Sequence, residues 1–191
     1  MTVKSFVVTG RGGQGVKLAT ELLAYASFEQ GLVAIQYSVY GALVRGGDIA
    51  SFLTVDSADP GLALRSSYDF MMAMHNNWFA KYYQRLAPGA IAIIDKNQVP
   101  GDWLTRDDVE HRVVNFTALA KEAGSVSASN MLAAGYLAAA SGVVSLEALE
   151  AGLEEVVPSH RRDRLEVNLR AMNAGFREGL AGSDVGQSAR V

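Results

Sequence analysis

A chain of 191 residues, 49% hydrophobic and 19% charged, is long enough to bury the core of one domain and too apolar to stay disordered. Its 17 basic residues stand against 20 acidic ones, a net charge of −3, which excludes a global positive field for nucleic acid or an anionic membrane and makes any anion site local. There is no cysteine, so disulfides, thiolate nucleophiles, cysteine-held zinc and cysteine-ligated iron–sulfur clusters are excluded together.

Met1-Thr2-Val3-Lys4 leads straight into an apolar strand without a signal-peptide pattern, and no apolar run approaches the roughly 20 residues that span a bilayer. The expected location is cytoplasmic, with neither a membrane nor nucleic acid as partner. Val3 to Val8, rich in β-branched residues, predicts a buried strand ended by Thr9-Gly10. From Gln14 to about Gln30, Val16, Ala19, Leu22, Leu23 and Ala26 recur at helical spacing, and Gly31 stops the helix. Leu32 to Tyr37 reads as a second strand, which makes a βαβ unit with a crossover between parallel strands.

A loop from Ser38 to Gly47 follows, then strands at Ile49 to Val55 and Phe70 to Met74. The pattern next predicts a helix over Asn77 to Leu86 ended by Pro88-Gly89, a buried strand over Ala90 to Ile94, and a last short strand over Val113 to Phe116. This alternation argues for a three-layer α/β/α domain around a mostly parallel sheet. The second half turns helical. Asn130 to Ala140 is alanine-rich and apolar nearly all round, suited to close burial against a neighbour. Ser145 is placed as an N-cap with Val144 and Leu149 as a hydrophobic staple. Leu165, Leu169, Met172, Phe176 and Leu180 form one stripe on a final helix. Residues 1–182 are therefore expected to be one domain, and residues 183–191 a loose tail.

Gly10, Gly12 and Gly15 match G-x-G-x-x-G spacing and fall between a strand and a helix. The first glycine permits the tight turn, the second lets backbone approach a phosphate, and the third allows close helix–strand packing. Four unpaired N–H groups and the positive end of the helix dipole then face a ligand, with Arg11 and Gly13 beside them. The simpler alternative is a tight βα connection. A dinucleotide site would show an acidic residue about 20 residues later; Gln36-Tyr37-Ser38-Val39 offers none, which weakens an NAD reading. A second glycine-bearing loop, Tyr40-Gly41-Ala42-Leu43-Val44-Arg45-Gly46-Gly47, is expected to emerge at the same edge and converge on the first.

Together, Gly-x-Gly-Gly-Gln-Gly at residues 10–15 and Tyr40-Gly41 followed by Arg45-Gly46-Gly47 resemble the gamma subunit, or equivalent fused domain, of pyruvate:ferredoxin oxidoreductase and its relatives acting on other 2-oxoacids. The resemblance runs on through Phe70–Met74, Leu86-Ala87-Pro88-Gly89, the helices from Asn130 to Val156, and Asn168 and Gly175. It implies a non-redox subunit of an enzyme that oxidatively decarboxylates a 2-oxoacid to an acyl-CoA. Thiamine diphosphate, magnesium and iron–sulfur clusters would sit in alpha-, beta- and delta-type partner subunits. It further implies that Gly10, Arg11, Gly12, Gly13, Gln14 and Gly15, with Tyr40, Gly41, Arg45 and Gly46, lie near coenzyme A. Leu43 departs from the glutamate that many relatives carry there.

No residue set suggests a catalytic triad, and His75, His111 and His160 are too scattered for a metal site. His75-Asn76-Asn77 reads as turn chemistry more simply than as a ligand contact. The basic run His160-Arg161-Arg162-Asp163-Arg164 reads as a solvated face, with contact to an acidic subunit as the sharper alternative. Trp78, Phe79, Tyr82 and Tyr83 are too many aromatics for one helix face, which leans toward a subunit interface over a wide buried face. A stand-alone Rossmann-type NAD(P)-binding oxidoreductase and a non-catalytic scaffold are the competing functions.

Overall fold

The computed structural model describes residues 3–43, 46–157 and 163–188, with side chains described as far as Gly182. Its elements in chain order are β1 (Lys4–Arg11), α1 (Val16–Glu29), β2 (Val33–Tyr40), β3 (Asp48–Asp56), β4 (Tyr68–Ala73), α2 (Phe79–Tyr83), β5 (Leu86–Asp95), β6 (Glu110–Val114), α3 (Phe116–Glu122), α4 (Ser129–Ser141), α5 (Leu146–Val156) and α6 (Leu165–Ser188). The strands form one six-stranded sheet in the order β2-β3-β1-β4-β5-β6. β1, β4, β5 and β6 are mutually parallel, whereas β3 runs antiparallel to both β1 and β2. An α/β fold with helices on both faces is what the alternation predicted.

The first βαβ unit is, however, split. β2 points the same way as β1 but does not pair with it, because β3 lies between them, pairing Lys4 with Val55 at one end and Arg11 with Asp48 at the other. The residues account for the order: every residue from Ile49 to Val55 is buried, as an interior strand requires, whereas β2 alternates exposed and half-buried positions, as an edge strand can. A short hairpin is also the cheaper connection for antiparallel neighbours.

Alternation along β1 sorts the core into two. Phe6 and Val8 face a large cluster with Leu22, Leu53, Met72, Ile93, Leu132 and Met172. Val7 faces a smaller one with Phe52, Tyr68, Met71, Phe79 and Tyr83. The larger face carries α1, α3, α4, α5 and α6; the smaller is covered by α2 and loops. The aromatic run belongs here: Phe79, Tyr82 and Tyr83 are buried, and Phe79 stacks on Tyr83 with centroids 4.8 Å apart. The interface leaning is thereby corrected. The helix is only Phe79–Tyr83, and three buried rings are needed to cover a sheet face that has no longer helix.

α4 meets α6 backbone to backbone. A Cβ on Gly135 would lie 2.1 Å from Met172 O, and one on Gly175 would lie 1.9 Å from Leu132 O. This is the close neighbour that the alanine-rich segment anticipated. Ser145 caps α5, its side chain accepting from Ala148 N at 3.2 Å, with Val144 and Leu149 buried beside it.

Several boundaries differ from the sequence pattern, and β2, expected to end at Tyr37, runs to Tyr40. Pro88-Gly89 sits inside the first part of β5 rather than ending a helix. The register there shifts, Gly89 has φ +80, and its N–H donates to Asp108 O, so proline and glycine mark a bulge. The strand expected over Val113 to Phe116 is Glu110–Val114, and Asn115 instead caps α3 by accepting from Ala118 N. Of residues 183–191, expected to be a loose tail, α6 includes those through Ser188 and the last three lie outside the described residues; extending an established helix needs no apolar period, since each added residue gains a backbone bond.

Candidate functional site

β1 is buried as far as Gly10 and surfaces at Arg11. Gly10 has no room for a side chain: a Cβ would stand 2.6 Å from Val16 Cγ2 and 2.9 Å from Gln14 Oε1. Gln14 braces the turn, its Oε1 accepting from Arg11 N at 2.6 Å and its Nε2 donating to Met74 O at 3.2 Å. The second loop is tied to the first: Gly12 N–H donates to Gly47 O at 2.8 Å and Arg11 Nε to Gly46 O at 3.2 Å. Gly41 N–H donates to Asp48 O at 2.7 Å and closes the β2–β3 hairpin. The two glycine loops therefore do converge, because β1 and β2 end at the same sheet edge. Arg45, with Val44, lies outside the described residues.

This geometry sorts the glycine-turn donors. Gly12 N–H and Gln14 N–H are spent inside the protein, the latter on Arg11 O at 3.1 Å. Four outward-facing amides are thus not simply those of the turn. Gly13 and Gly15 donate their N–H to no protein acceptor among the described residues, and they lead directly into α1, whose first amides are unpaired by helix geometry. Gly13, at φ +97, would hold a Cβ with nothing within 4 Å, so it is open as well as left-handed. Gly15, at φ +77, packs against Asn130.

The turn separates two depressions, with Gly13 on the rim of both. One, about 370 Å³, lies toward the hairpin and is lined by Gly12, Tyr40, Leu43, Gly46 and Asp48. The other, about 500 Å³, lies toward the helices and is lined by Gly15, Asp95, Ser129, Asn130 and Arg164 among others. Burial raises the Asp95 carboxyl above its ordinary value, partly offset by the hydrogen bond it accepts from Asn97 N. Arg164 is exposed and makes no ion pair with a described residue, so its charge is available to the cleft. A wider groove of about 790 Å³ between α3 and α6 presents both signs of charge, with Arg170 already paired to Glu166, and has no comparable convergence of donors.

His75-Asn76-Asn77 is a turn, as its composition suggested. Asn77 N donates to His75 Nδ1, Phe79 N to Asn76 O, and Asn77 Nδ2 to Asp48 Oδ1, which pins the end of β4 to the start of β3. Of the basic run, His160 to Arg162 lie outside the described residues, while Arg164 lines the cleft. Sequence reasoning placed Arg164 in a solvated basic run and gave no site role to Asp95, Ser129 or Asn130; the four meet only because the end of β5 and the starts of α4 and α6 come to one place. No motif joins them; the one available signal was Asp95 closing an apolar strand. No group of three or more His, Asp or Glu among the described residues could hold a metal ion.

The model of the pyruvate ferredoxin/flavodoxin oxidoreductase family matches residues 5–178, most of the chain. The chain belongs to that family. It is 31% identical over 179 residues to the 2-oxoglutarate synthase subunit KorC of Methanothermobacter marburgensis, a match covering 90% of this chain and 94% of that one. The keto/oxoacid ferredoxin oxidoreductase gamma subunit of Geobacter sulfurreducens superimposes with a TM-score of 0.81 at 28% identity, over 95% of this chain and 98% of that one. The 2-oxoglutarate:ferredoxin oxidoreductase of Magnetococcus marinus, solved with 2-oxoglutarate, coenzyme A and succinyl-CoA bound, shares the fold. Its TM-score is 0.78 at 22% identity, over 97% of this chain but 32% of that longer one. This chain is accordingly a gamma-type subunit of a multi-subunit 2-oxoacid oxidoreductase. No described helix is long and apolar enough to cross a membrane.

Proposed function

We propose that this gamma-type subunit holds the phosphorylated portion of coenzyme A at the glycine turn while the chemistry proceeds on its partners. Those partners are alpha-, beta- and delta-type subunits bearing thiamine diphosphate, magnesium and iron–sulfur clusters, in a cytoplasmic complex that converts a 2-oxoacid to an acyl-CoA. The observation that carries the reading is the pair of free amides on Gly13 and Gly15 at the start of the 14-residue α1, beside a residue that leaves the approach clear. An anion there meets fixed backbone donors and the positive end of the helix without any side chain having to be ordered.

The remaining residues divide by what they do. Gly10, Gly12, Gln14 and Gly41 shape and brace the two loops. Gly13 and Gly15 face the ligand. Arg11 and Gly46 join the loops, Tyr40 offers an exposed ring on the hairpin side, and Arg45 and Arg164 supply cations. The Magnetococcus protein, solved with coenzyme A, contains this fold, which supports the choice of ligand. A stand-alone NAD(P) enzyme is disfavoured, since antiparallel β3 takes the place beside β1 that a Rossmann half gives to a parallel strand.

The test uses the assembled complex. Gly13→Val, alone and with Arg45→Ala, is expected to raise KM for coenzyme A about tenfold or more, the loss of one or two charge-assisted hydrogen bonds, with KM for the 2-oxoacid unchanged. An unchanged coenzyme A dependence would return the chain to a scaffold role. Substrate turnover by the isolated chain would overturn the subunit assignment of the chemistry.

A further inference from the structure

The two edges of the sheet are built differently. β6 carries Glu110, His111 and Arg112, with Arg112 paired to Glu110 at 2.7 Å, the charged edge that discourages strand addition. β2, at the other edge, is Val-Ala-Ile-Gln-Tyr-Ser-Val-Tyr: eight residues with no charge and no proline, and no described strand on its outer side. Such an edge presents unpaired N–H and C=O groups in a flat row and is a template for another strand.

Apolar side chains flank that row on both faces of the sheet. On one face Val33, Ile35 and Tyr37 are 43%, 38% and 50% exposed. On the other, Tyr25 and Phe28 of α1 are 46% and 73% exposed and border a groove of about 680 Å³ that reaches Val33 and Ala34. Lys17, Glu21, Tyr25 and Phe28 share one side of α1, at helical spacing, and Lys17 is already paired with Glu21 at 2.8 Å. The three rings and two aliphatic side chains offer on the order of 500 Å² of apolar surface, against roughly 800 Å² per partner in a stable interface. The strand backbone and the Lys17–Glu21 pair can supply the balance.

We propose that β2 pairs antiparallel with β2 of a second copy of this chain, joining two sheets across a two-fold axis. Such an axis stands perpendicular to the sheet and sets one residue opposite its own copy. Centred on Gln36, the middle of β2, it places Ile35 opposite Tyr37 and Val33 opposite Val39, β-branched against aromatic and aliphatic against aliphatic, all on one face. Ala34 meets Ser38 on the other face. No like charges oppose each other along the strand, so one sequence satisfies both sides. The α1 helices, which lie over β2 and β3, then approach across the axis with Tyr25 and Phe28 covered.

Sedimentation of the purified full-length chain at micromolar concentration is expected to show a dimer. Ile35→Lys with Tyr37→Lys should weaken it at least about 100-fold by setting lysines against one another in place of two apolar contacts, with the thermal midpoint of the monomer little changed. Because the chain has no cysteine, Gln36→Cys is a second probe, one that also removes the hydrogen bonds Gln36 Nε2 donates to Thr20, Ser38 and Ser51: under oxidation it should cross-link to its own copy, while Ser66→Cys, exposed on a loop away from this edge, should not. A monomeric wild-type chain, a dimer indifferent to the two lysines, or no preference for cross-linking at position 36 would each overturn the proposal. So would finding this strand paired to a different subunit in the assembled complex.

Discussion

The contact between α4 and α6 makes a severe demand on one atom, and Gly175→Ala tests it. A methyl group on Gly175 would stand 1.9 Å from Leu132 O, 2.7 Å from Leu132 C and 3.0 Å from Leu132 Cα, all backbone atoms that cannot rotate away. Restoring an ordinary contact of roughly 3.2 Å requires the helices to separate by more than about 1 Å, a gap that forfeits a quarter to a half of each dispersion contact along the seam. Leu132, Tyr136, Ala171 and Met172 are all buried there, so the loss is shared among them. Overpacking of this kind costs about 1–3 kcal/mol, and a backbone obstacle places it near the top of that range. Alanine returns about 1 kcal/mol through its better helix propensity. The net loss is about 2 kcal/mol, or a fall of roughly 4–8 °C in thermal midpoint for a domain of this size. Calorimetry on the full-length chain reads it directly. A midpoint unchanged or raised would mean that the two backbones do not touch, since propensity alone favours alanine.

Two further outcomes bear on the cleft. Asp95→Asn should stabilise the protein at neutral pH: burial raises the carboxyl above its unfolded value, so the native state binds that proton more tightly, and stability falls as pH rises through the folded value. Urea midpoints of the variant and wild type should therefore converge in acid, below the unfolded carboxylate value, and diverge toward neutrality; a constant difference across pH would show that the effect is packing. Arg164→Ala should raise KM for coenzyme A in the assembled complex by about three- to tenfold, the modest effect of one exposed cation, and less at high salt. No dependence on salt or on Arg164 would remove that residue from the site.

The first strand, its glycine turn and α1 were legible because each is a local pattern: an apolar run, three glycines at a turn, and a 3.6-residue period. Ser145 was legible for the same reason, since a cap acts on an amide three residues away. Gly10 shows the limit. Its position in the motif announced a tight turn, yet its reason is a contact with Val16 and Gln14 that exists only once strand, turn and helix are assembled. Trp78 to Tyr83 show a different limit: four aromatics in one short stretch could not be assigned a face without knowing how little else covers that side of the sheet.

By itself, then, the sequence determined a cysteine-free α/β domain, the glycine turn between strand and helix, the convergence of two glycine loops and a resemblance that the family match bears out. Tertiary structure alone decided that β3 enters between β1 and β2, that Gly12 and Gln14 use their amides internally, and that Arg164 and Asp95 share the cleft with Gly13. The division follows from the range of the forces. Propensity, periodicity and capping act within a few residues and leave their mark on the chain. Strand order and the meeting of distant loops are settled by which surfaces bury best against one another, and no segment carries that comparison alone.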